Sequence, residues 1–335
     1  MDDAIASGIS RRKVYRLVNA GTYIRLHEGV FLTNPVRSGP DRWKAELAGY
    51  VLRGGPGSLC SHETAARLLG LEGITGEPIS VTVPRRSTLR GEGVHRTSSP
   101  DELALTVEGL ATTSVVRTIC DLATVCPLDV VEQALESALR GPWPERPDIW
   151  KVELFAAVRN AAEERRRRAG GFALRTLLGR RTERDRPTGS FPETLLFQAL
   201  RSLGVVAVRQ ASVRLVDAPG FSLNTFFPDL SIPAKRLVVE VDSLVAHGTT
   251  GALRRDLQRQ NKLMRCFRVL RYPASVILAD AGAVASEVLA SINALPDSGP
   301  TWSVDGVSVS YTENEFRVVD PSRNAREESR RNRRS

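Results

Sequence analysis

Glu240 and Asp242 close the apolar run Leu237-Val238-Val239-Glu240-Val241-Asp242, and Asp229 follows Phe227-Pro228 on the run before it. Side chains of a strand alternate between faces, so Leu237, Val239 and Val241 point one way while Val238, Glu240 and Asp242 point the other. Carboxylates two residues apart on one strand face have backbones about 7 Å apart, close enough to converge on one cation. Ending an apolar strand with two acids costs stability unless they are solvated or paired. A hard divalent cation resolves their repulsion, and Mg²⁺ with several retained waters suits carboxylate oxygens. Such an ion lowers the pKa of a bound water and stabilises a charged phosphoryl transition state.

The elements that must position these acids run from Ser190 to about Leu295. Ser190 and Glu193 form a capping box that opens a helix with Leu196, Ala199, Leu200 and Leu203 on one face, and Gly204 ends it. Three strand-like runs follow, near Val205–Leu215, Phe221–Ile232 and Leu237–Asp242. A polar helix over Ala252–Arg265, a short strand over Phe267–Tyr272 and a closing helix over Ser275–Leu295 complete the series. The order is α-β-β-β-α-β-α, which predicts an α/β domain with a mixed sheet.

This pattern resembles the PD-(D/E)XK nuclease core, in particular the branch related to very-short-patch repair endonucleases. The matching words are Phe227-Pro228-Asp229, the run from Leu237 to Asp242, His247, Arg255-Asp256, Arg259-Gln260-Asn261-Lys262-Leu263 and Arg268-Val269-Leu270-Arg271-Tyr272. They occur in the family's order over about one hundred residues. The resemblance implies that Asp229 and Glu240 are the main metal ligands, with Asp242 a third acid and Glu193 an accessory carboxylate that places water or metal. Asp242 stands where the wider superfamily often has lysine, Ser243 where the branch usually has glycine, and Cys266-Phe267 where a glycine-aromatic pair is frequent. His247 is then the candidate for proton transfer, since imidazole titrates near neutrality. Arg255, Arg259 and Lys262 on the polar helix suit phosphate contact. Each also has a plainer reading: Glu193 completes its capping box in any case, Asp256 can pair with the basic residues of its own helix, and His247 lies in a Gly/Thr-rich loop.

The N-terminal part reads differently. A short helix around Ala4-Ile5 stops at Gly8, Ser10 caps a second over Arg11–Ala20, and two short strands follow at Tyr23–Leu26 and Gly29–Leu32. Helix, turn, helix and hairpin is the order of a winged-helix unit, and the second helix carries Arg11, Arg12, Lys13 and Arg16 where DNA contacts would be needed. Beyond it, helices are expected over Trp43–Leu52, Ser61–Leu69, Thr113–Ala123 and Leu128–Leu139, with a strand between Pro78 and Pro84. The words Gly21 to Phe31, Cys60 to Leu71 and Leu110 to Ala123 resemble the N-terminal part of AbiEi-type antitoxins over about residues 1–140. That resemblance implies DNA binding, often for autoregulation, and in true systems a nucleotidyltransferase-like toxin as partner. His62 and Glu63, adjacent on a helix, diverge by about 100° and suit buried or capping roles. His27 and His95 are isolated in sequence and read as structural or surface residues.

The expected organisation is a winged-helix unit at 1–34, an α+β middle region at 41–160 and a basic helix and linker at 161–189. The nuclease-like domain at 190–295, an appended hairpin at 296–320 and a disordered basic tail at 321–335 follow. The run Glu163–Arg168 is placed on a solvated helix, and Gly179–Pro187 is read as linker. A formal charge of +9 favours an acidic partner. Four scattered cysteines exclude zinc-ribbon and paired-thiol redox motifs. With no secretory signal or long apolar span, the sequence predicts a cytoplasmic protein without membrane contact. The functional expectation is a Mg²⁺- or Mn²⁺-dependent deoxyribonuclease that binds DNA, the alternative a non-catalytic, antitoxin-like transcriptional regulator.

Overall fold

A computed structural model describes residues 8–33, 39–98, 104–141, 148–181, 185–216, 222–242, 266–299, 301–304, 307–312 and 315–319. The chain is mixed α and β and divides into two compact units, Met1–Arg181 and Thr182–Ser335, with the boundary inside the stretch read as linker. Among the described residues no helix is long and apolar enough to cross a membrane.

In the first unit, helix α1 (Arg11–Asn19) starts where the Ser10 hydroxyl accepts the Lys13 N–H, 3.3 Å away. It buries Val14 and leaves Arg11, Arg12, Lys13 and Arg16 exposed. Strands β1 (Ile24–His27) and β2 (Val30–Leu32) form an antiparallel hairpin, and Tyr15 of α1 meets Phe31 edge to face. Helix α2 (Pro40–Gly54) packs on that hairpin through Gly49, where a Cβ would stand only 3.1 Å from the Leu26 side chain. The helix expected around Ala4 lies outside the described residues.

A five-stranded sheet follows, built from β3 (Leu59–Cys60), β4 (Val81–Pro84), β5 (Val94–Thr97), β6 (Leu105–Val107) and β7 (Leu110–Thr112) in the order β5-β4-β3-β7-β6. Only β4 was visible in the sequence; the others are too short to show an alternating pattern. Around it stand α3 (His62–Leu68), α4 (Val115–Leu122), α5 (Leu128–Arg140), α6 (Asp148–Glu164) and α7 (Gly171–Gly179). Ile119, Leu122, Leu135, Leu139, Phe155 and Leu174 are among the residues of their shared core. The arginine run does not continue a solvated helix as expected. Helix α6 ends at Glu164, and Arg165 turns back toward the buried Asp121 at 3.6 Å. A buried carboxylate draws a guanidinium out of solvent because its own desolvation is otherwise uncompensated.

His62 and His95 are not separate. Their rings stack at 3.6 Å between centroids with an 18° tilt, joining α3 to β5. Thr82 donates its hydroxyl to Ser61 Oγ at 2.8 Å, and Ser61 Oγ lies 2.9 Å from His62 Nδ1. Burial, then the neighbouring His95, Arg117 and Arg165, drives the His62 pKa down to about 3, and burial lowers that of His95. Asp121 and Glu63 face the pair as well, but Asp121 is held by Arg117 at 2.8 Å and Glu63 accepts the Ser80 hydroxyl at 3.1 Å.

In the second unit, α8 (Phe191–Ser202) is followed by β8 (Val208–Arg209), β9 (Ser212–Val216), β10 (Ser222–Phe226), β11 (Leu230–Ile232) and β12 (Leu237–Asp242). Then come β13 (Arg268–Pro273), α9 (Ala274–Ala279), α10 (Ala281–Asn293), β14 (Thr301–Val304), β15 (Val307–Thr312) and β16 (Glu315–Val319). One sheet has the order β13-β12-β11-β8, with β12 parallel to β13 and antiparallel to β11. Leu237 and Val239 of β12 pack with Leu196, Leu200, Leu230, Ile277, Val284 and Val288, which covers that face with helices. Val238 faces the opposite way, toward Phe267, Val309 and Phe316.

Three expectations change here. The runs Val205–Leu215 and Phe221–Ile232 are each two strands, because β9 and β10 leave the first sheet and enter a second, ordered β10-β9-β16-β15-β14. The appended hairpin is three strands, and β16 lies parallel to β9. The closing helix breaks at Asp280, whose side chain accepts the Ala283 N–H at 2.8 Å and starts a new helix. The polar helix expected over 252–265 and the tail 321–335 lie outside the described residues.

The histidine stack makes a pH prediction. A folded-state pKa below the unfolded value of 6.5 means that the neutral pair contributes stability above that pH and loses it as pH falls toward about 3. Urea midpoints of the full chain should drop between about pH 7.5 and about pH 5, and His95→Gln should drop less over the same range. Equal losses in the two proteins would contradict a stacked neutral pair.

Candidate active site

The local sequence around Gly189 explains how one acid is held out of water. Ser190 caps α8, accepting the Glu193 N–H at 3.4 Å and donating its hydroxyl to Glu193 Oε1 at 2.8 Å. In the expected capping box the Glu193 carboxylate would return to the N-cap N–H; it instead accepts the N–H of Gly189 at 2.6 Å. A Cβ on Gly189 would stand 2.9 Å from Glu193 Oε1, so a side chain there would force the carboxylate away. Glu193 is 5% exposed.

Asp229 reaches the same place from the start of β11. Its Oδ2 accepts the Val241 N–H of β12 at 2.7 Å. Gln210, at the break between β8 and β9, donates its side-chain amide to Glu193 Oε2 at 3.0 Å and to Asp229 Oδ1 at 3.1 Å. Its backbone N–H also donates to the Asp229 carbonyl at 2.9 Å. Burial raises the Glu193 pKa to about 7, with the nearby Asp229 charge adding to it; Ser190, Gly189 and Gln210 oppose the rise.

Of the acids expected to gather, the structure joins Glu193 with Asp229 through Gln210. Glu240 sits immediately before Val241 on β12 and, by strand alternation, on the face of Val238. Asp242 is engaged by Arg271 of the parallel strand β13, whose Nε lies 3.1 Å from both carboxylate oxygens. Among the described residues no group of three or more His, Cys, Asp or Glu is gathered so as to hold a metal ion. The pair nevertheless fits Mg²⁺, which is commonly held by one or two carboxylates and keeps several waters. His247, Arg255, Arg259 and Lys262 lie outside the described residues.

Sequence reasoning missed Gln210, Gly189 and Arg271. Gln210 lay inside a run read as one strand, and nothing in its neighbours marks the break; its φ of 46° is a left-handed conformation uncommon for glutamine. Arg271 was one of the matching residues, but only the parallel register sets it opposite Glu240, from where its side chain reaches diagonally to Asp242. At the rim, Arg186 lies over the Phe227 ring at 3.8 Å and Arg209 over Phe197 at 4.6 Å. Phe227 precedes Asp229 by two residues, and Phe197 follows Glu193 by one helical turn. The chain matches no protein-family model and no curated protein.

The geometry predicts an unusual titration. In carboxyl-labelled protein followed by NMR, Glu193 should titrate near pH 7. In Asp229→Asn its midpoint should fall yet stay above 4.5, since burial, the larger cause, persists. A wild-type midpoint at 4.5 would show that the carboxylate is solvated.

Proposed function

We propose that this protein binds DNA and hydrolyses phosphodiester bonds with a divalent cation, Mg²⁺ or Mn²⁺, at Asp229, Glu240 and Glu193. The observation that carries the reading is the meeting of Glu193 and Asp229 on the Gln210 amide beside the backbone of β12. A buried acid, Glu193, held this close to the half-buried Asp229 is costly unless a shared positive charge or donor lies between them. Support also comes from the strand order β13-β12-β11-β8, with one parallel and two antiparallel pairings, which is consistent with the PD-(D/E)XK resemblance.

When bound, the cation supplies Lewis acidity and a water of lowered pKa. Asp229, fixed by the Val241 N–H, offers an oriented carboxylate oxygen to it, and Glu240 is the second acid that the family pattern assigns. Asp242 was expected as a third; its pairing with Arg271 makes it a group that orients Arg271 or is released from it on binding. Glu193, held at this place by Ser190 and Gly189, is the accessory carboxylate that would accept a proton from an attacking water. Arg186 and Arg209, stacked on Phe227 and Phe197, could contact phosphates. In the first unit, exposed Arg11, Arg12, Lys13 and Arg16 on α1 provide a basic face beside the β1–β2 hairpin, in keeping with a winged-helix role on DNA.

A second reading is favoured by one observation, the Asp242–Arg271 pair. An acid neutralised by a neighbouring arginine suits a nuclease fold that has become a scaffold, in a transcriptional regulator with DNA and a nucleotidyltransferase-like toxin as partners.

Cleavage of duplex DNA by the full chain with Mg²⁺ or Mn²⁺ tests the first reading. Activity should vanish in Asp229→Ala and Glu240→Ala and fall at least about a hundredfold in Glu193→Gln. Binding with no metal-dependent cleavage would favour the regulator. In gel-shift titrations over a salt series, replacing Arg11, Arg12, Lys13 and Arg16 by alanine should weaken binding and flatten the slope by roughly one unit per lost phosphate contact. An unchanged slope would remove α1 from the interface.

A further inference from the structure

Gln210 occupies the position between the two acids and belongs to none of the roles above. Its Nε2 carries two hydrogens, one directed at Glu193 Oε2 (3.0 Å) and the other at Asp229 Oδ1 (3.1 Å). The residue is fixed at its root by the hydrogen bond from its backbone N–H to the Asp229 carbonyl. It is held in a left-handed conformation, φ 46°, that a residue with a Cβ adopts only at a cost. A Cβ on Gly189 would come within 3.3 Å of Nε2, so the Gly189 backbone borders the amide as the acids do. Strain retained at a non-glycine position beside converging carboxylates points to function.

We propose that Gln210 is the positioning residue of this site and acts as a two-way amide, holding the carboxylates apart with its N–H₂ end when no cation is present and turning its carbonyl oxygen toward the cation when one binds. The inference rests on the metal-dependent reading and names a further residue of that same site. The physical reason is the sign of the charge between the acids. With nothing there, two carboxylate oxygens face the amide, and only the donor end is attractive. A cation in that space repels the donor end and attracts the oxygen end. The two ends are nearly equal in size, so half a turn of the terminal amide exchanges them without repacking. Gln210 Oε1 then joins Glu193 Oε2 and Asp229 Oδ1 as an oxygen donor, and hard cations prefer such oxygen sets.

The test measures Mn²⁺ itself. Isothermal titration of the full chain with Mn²⁺ is compared for wild type, Asp229→Ala, Gln210→Leu and Gln210→Glu, with thermal midpoints recorded in chelator. Wild type should bind Mn²⁺ in a manner lost in Asp229→Ala. Gln210→Leu, which has neither end of the amide, should bind roughly ten- to a hundredfold more weakly. Gln210→Glu keeps the oxygen and loses the donor. It should bind at least as tightly as wild type, yet melt lower in chelator and recover on adding Mn²⁺. A purely structural glutamine would not separate the two variants in this way. Equal Mn²⁺ affinity in wild type and Gln210→Leu overturns the proposal, as does Gln210→Glu binding as weakly as Gln210→Leu, or wild type binding no more than Asp229→Ala. If Gln210→Leu fails to fold, the opposite shifts expected of Gln210→Glu with and without Mn²⁺ decide the matter. Expected Mn²⁺ behaviour with no DNA cleavage leaves this assignment standing and removes the nuclease reading alone.

Discussion

Two carboxylates, the buried Glu193 and the half-buried Asp229, meet on one glutamine amide beside β12, and the second unit supplies the donors that make this tolerable. Glu193 is buried, so its charge is penalised, and Asp229 beside it adds repulsion. Each donor in the neighbourhood answers part of that cost: the Gly189 N–H, the Ser190 hydroxyl, the Gln210 amide and the Val241 N–H. These donors come from a loop, a helix cap, a break between strands and the interior of a sheet. Displacing any one of those elements would remove part of an acid's compensation, so the site constrains the fold as the fold builds the site.

The break at Gln210 has a second consequence. Because the chain turns there, β8 stays in the sheet with β11 and β12 while β9 pairs with β10 and β16. The resulting second sheet supplies Val213, Val309, Phe316 and Val318, which cover the face of Val238 and Phe267. Helices α8, α9 and α10 cover the other face through Leu196, Leu200, Ile277 and Val288. The strand that carries Glu240 and Asp242 is thus apolar on both sides at its start and acidic only at its end. A strand buried on both faces reads as a continuous apolar run, which is how Leu237–Val239 stands in the sequence.

The first unit meets the same problem with different groups. Asp121 is almost wholly buried and is held by Arg117 and Arg165, while burial lowers the pKa of both His62 and His95, which stack on each other. Here burial pushes the imidazoles toward the uncharged form, and the arginines nearby reinforce that direction. In both units, then, a buried acid is met by named donors, whereas the buried hydroxyls of Ser58 and Ser231 make no hydrogen bond among the described residues. Glu136 paired with Arg181 is a further such acid, both side chains being almost fully enclosed.

Much of the architecture was legible in residue order. The Ser190 cap, the helix to Ser202, the alternation along β12 and the helices at Val115–Leu122 and Leu128–Arg140 follow from cap chemistry and apolar period, which are local properties. So was the presence of Asp229 and Glu240 at the ends of apolar runs. What residue order did not contain was proximity. Glu193 and Asp229 are 36 positions apart, Gln210 lies between them in a segment that reads as uninterrupted strand, and Asp242 meets Arg271 only through a parallel register. His62 and His95, each isolated along the chain, become one stack for the same reason. Local periodicity determines which residues form helices and strands and which face is apolar. Strand register, the left-handed turn at Gln210 and burial depend on contacts between distant segments, and these decided which acids meet and which proton each one holds.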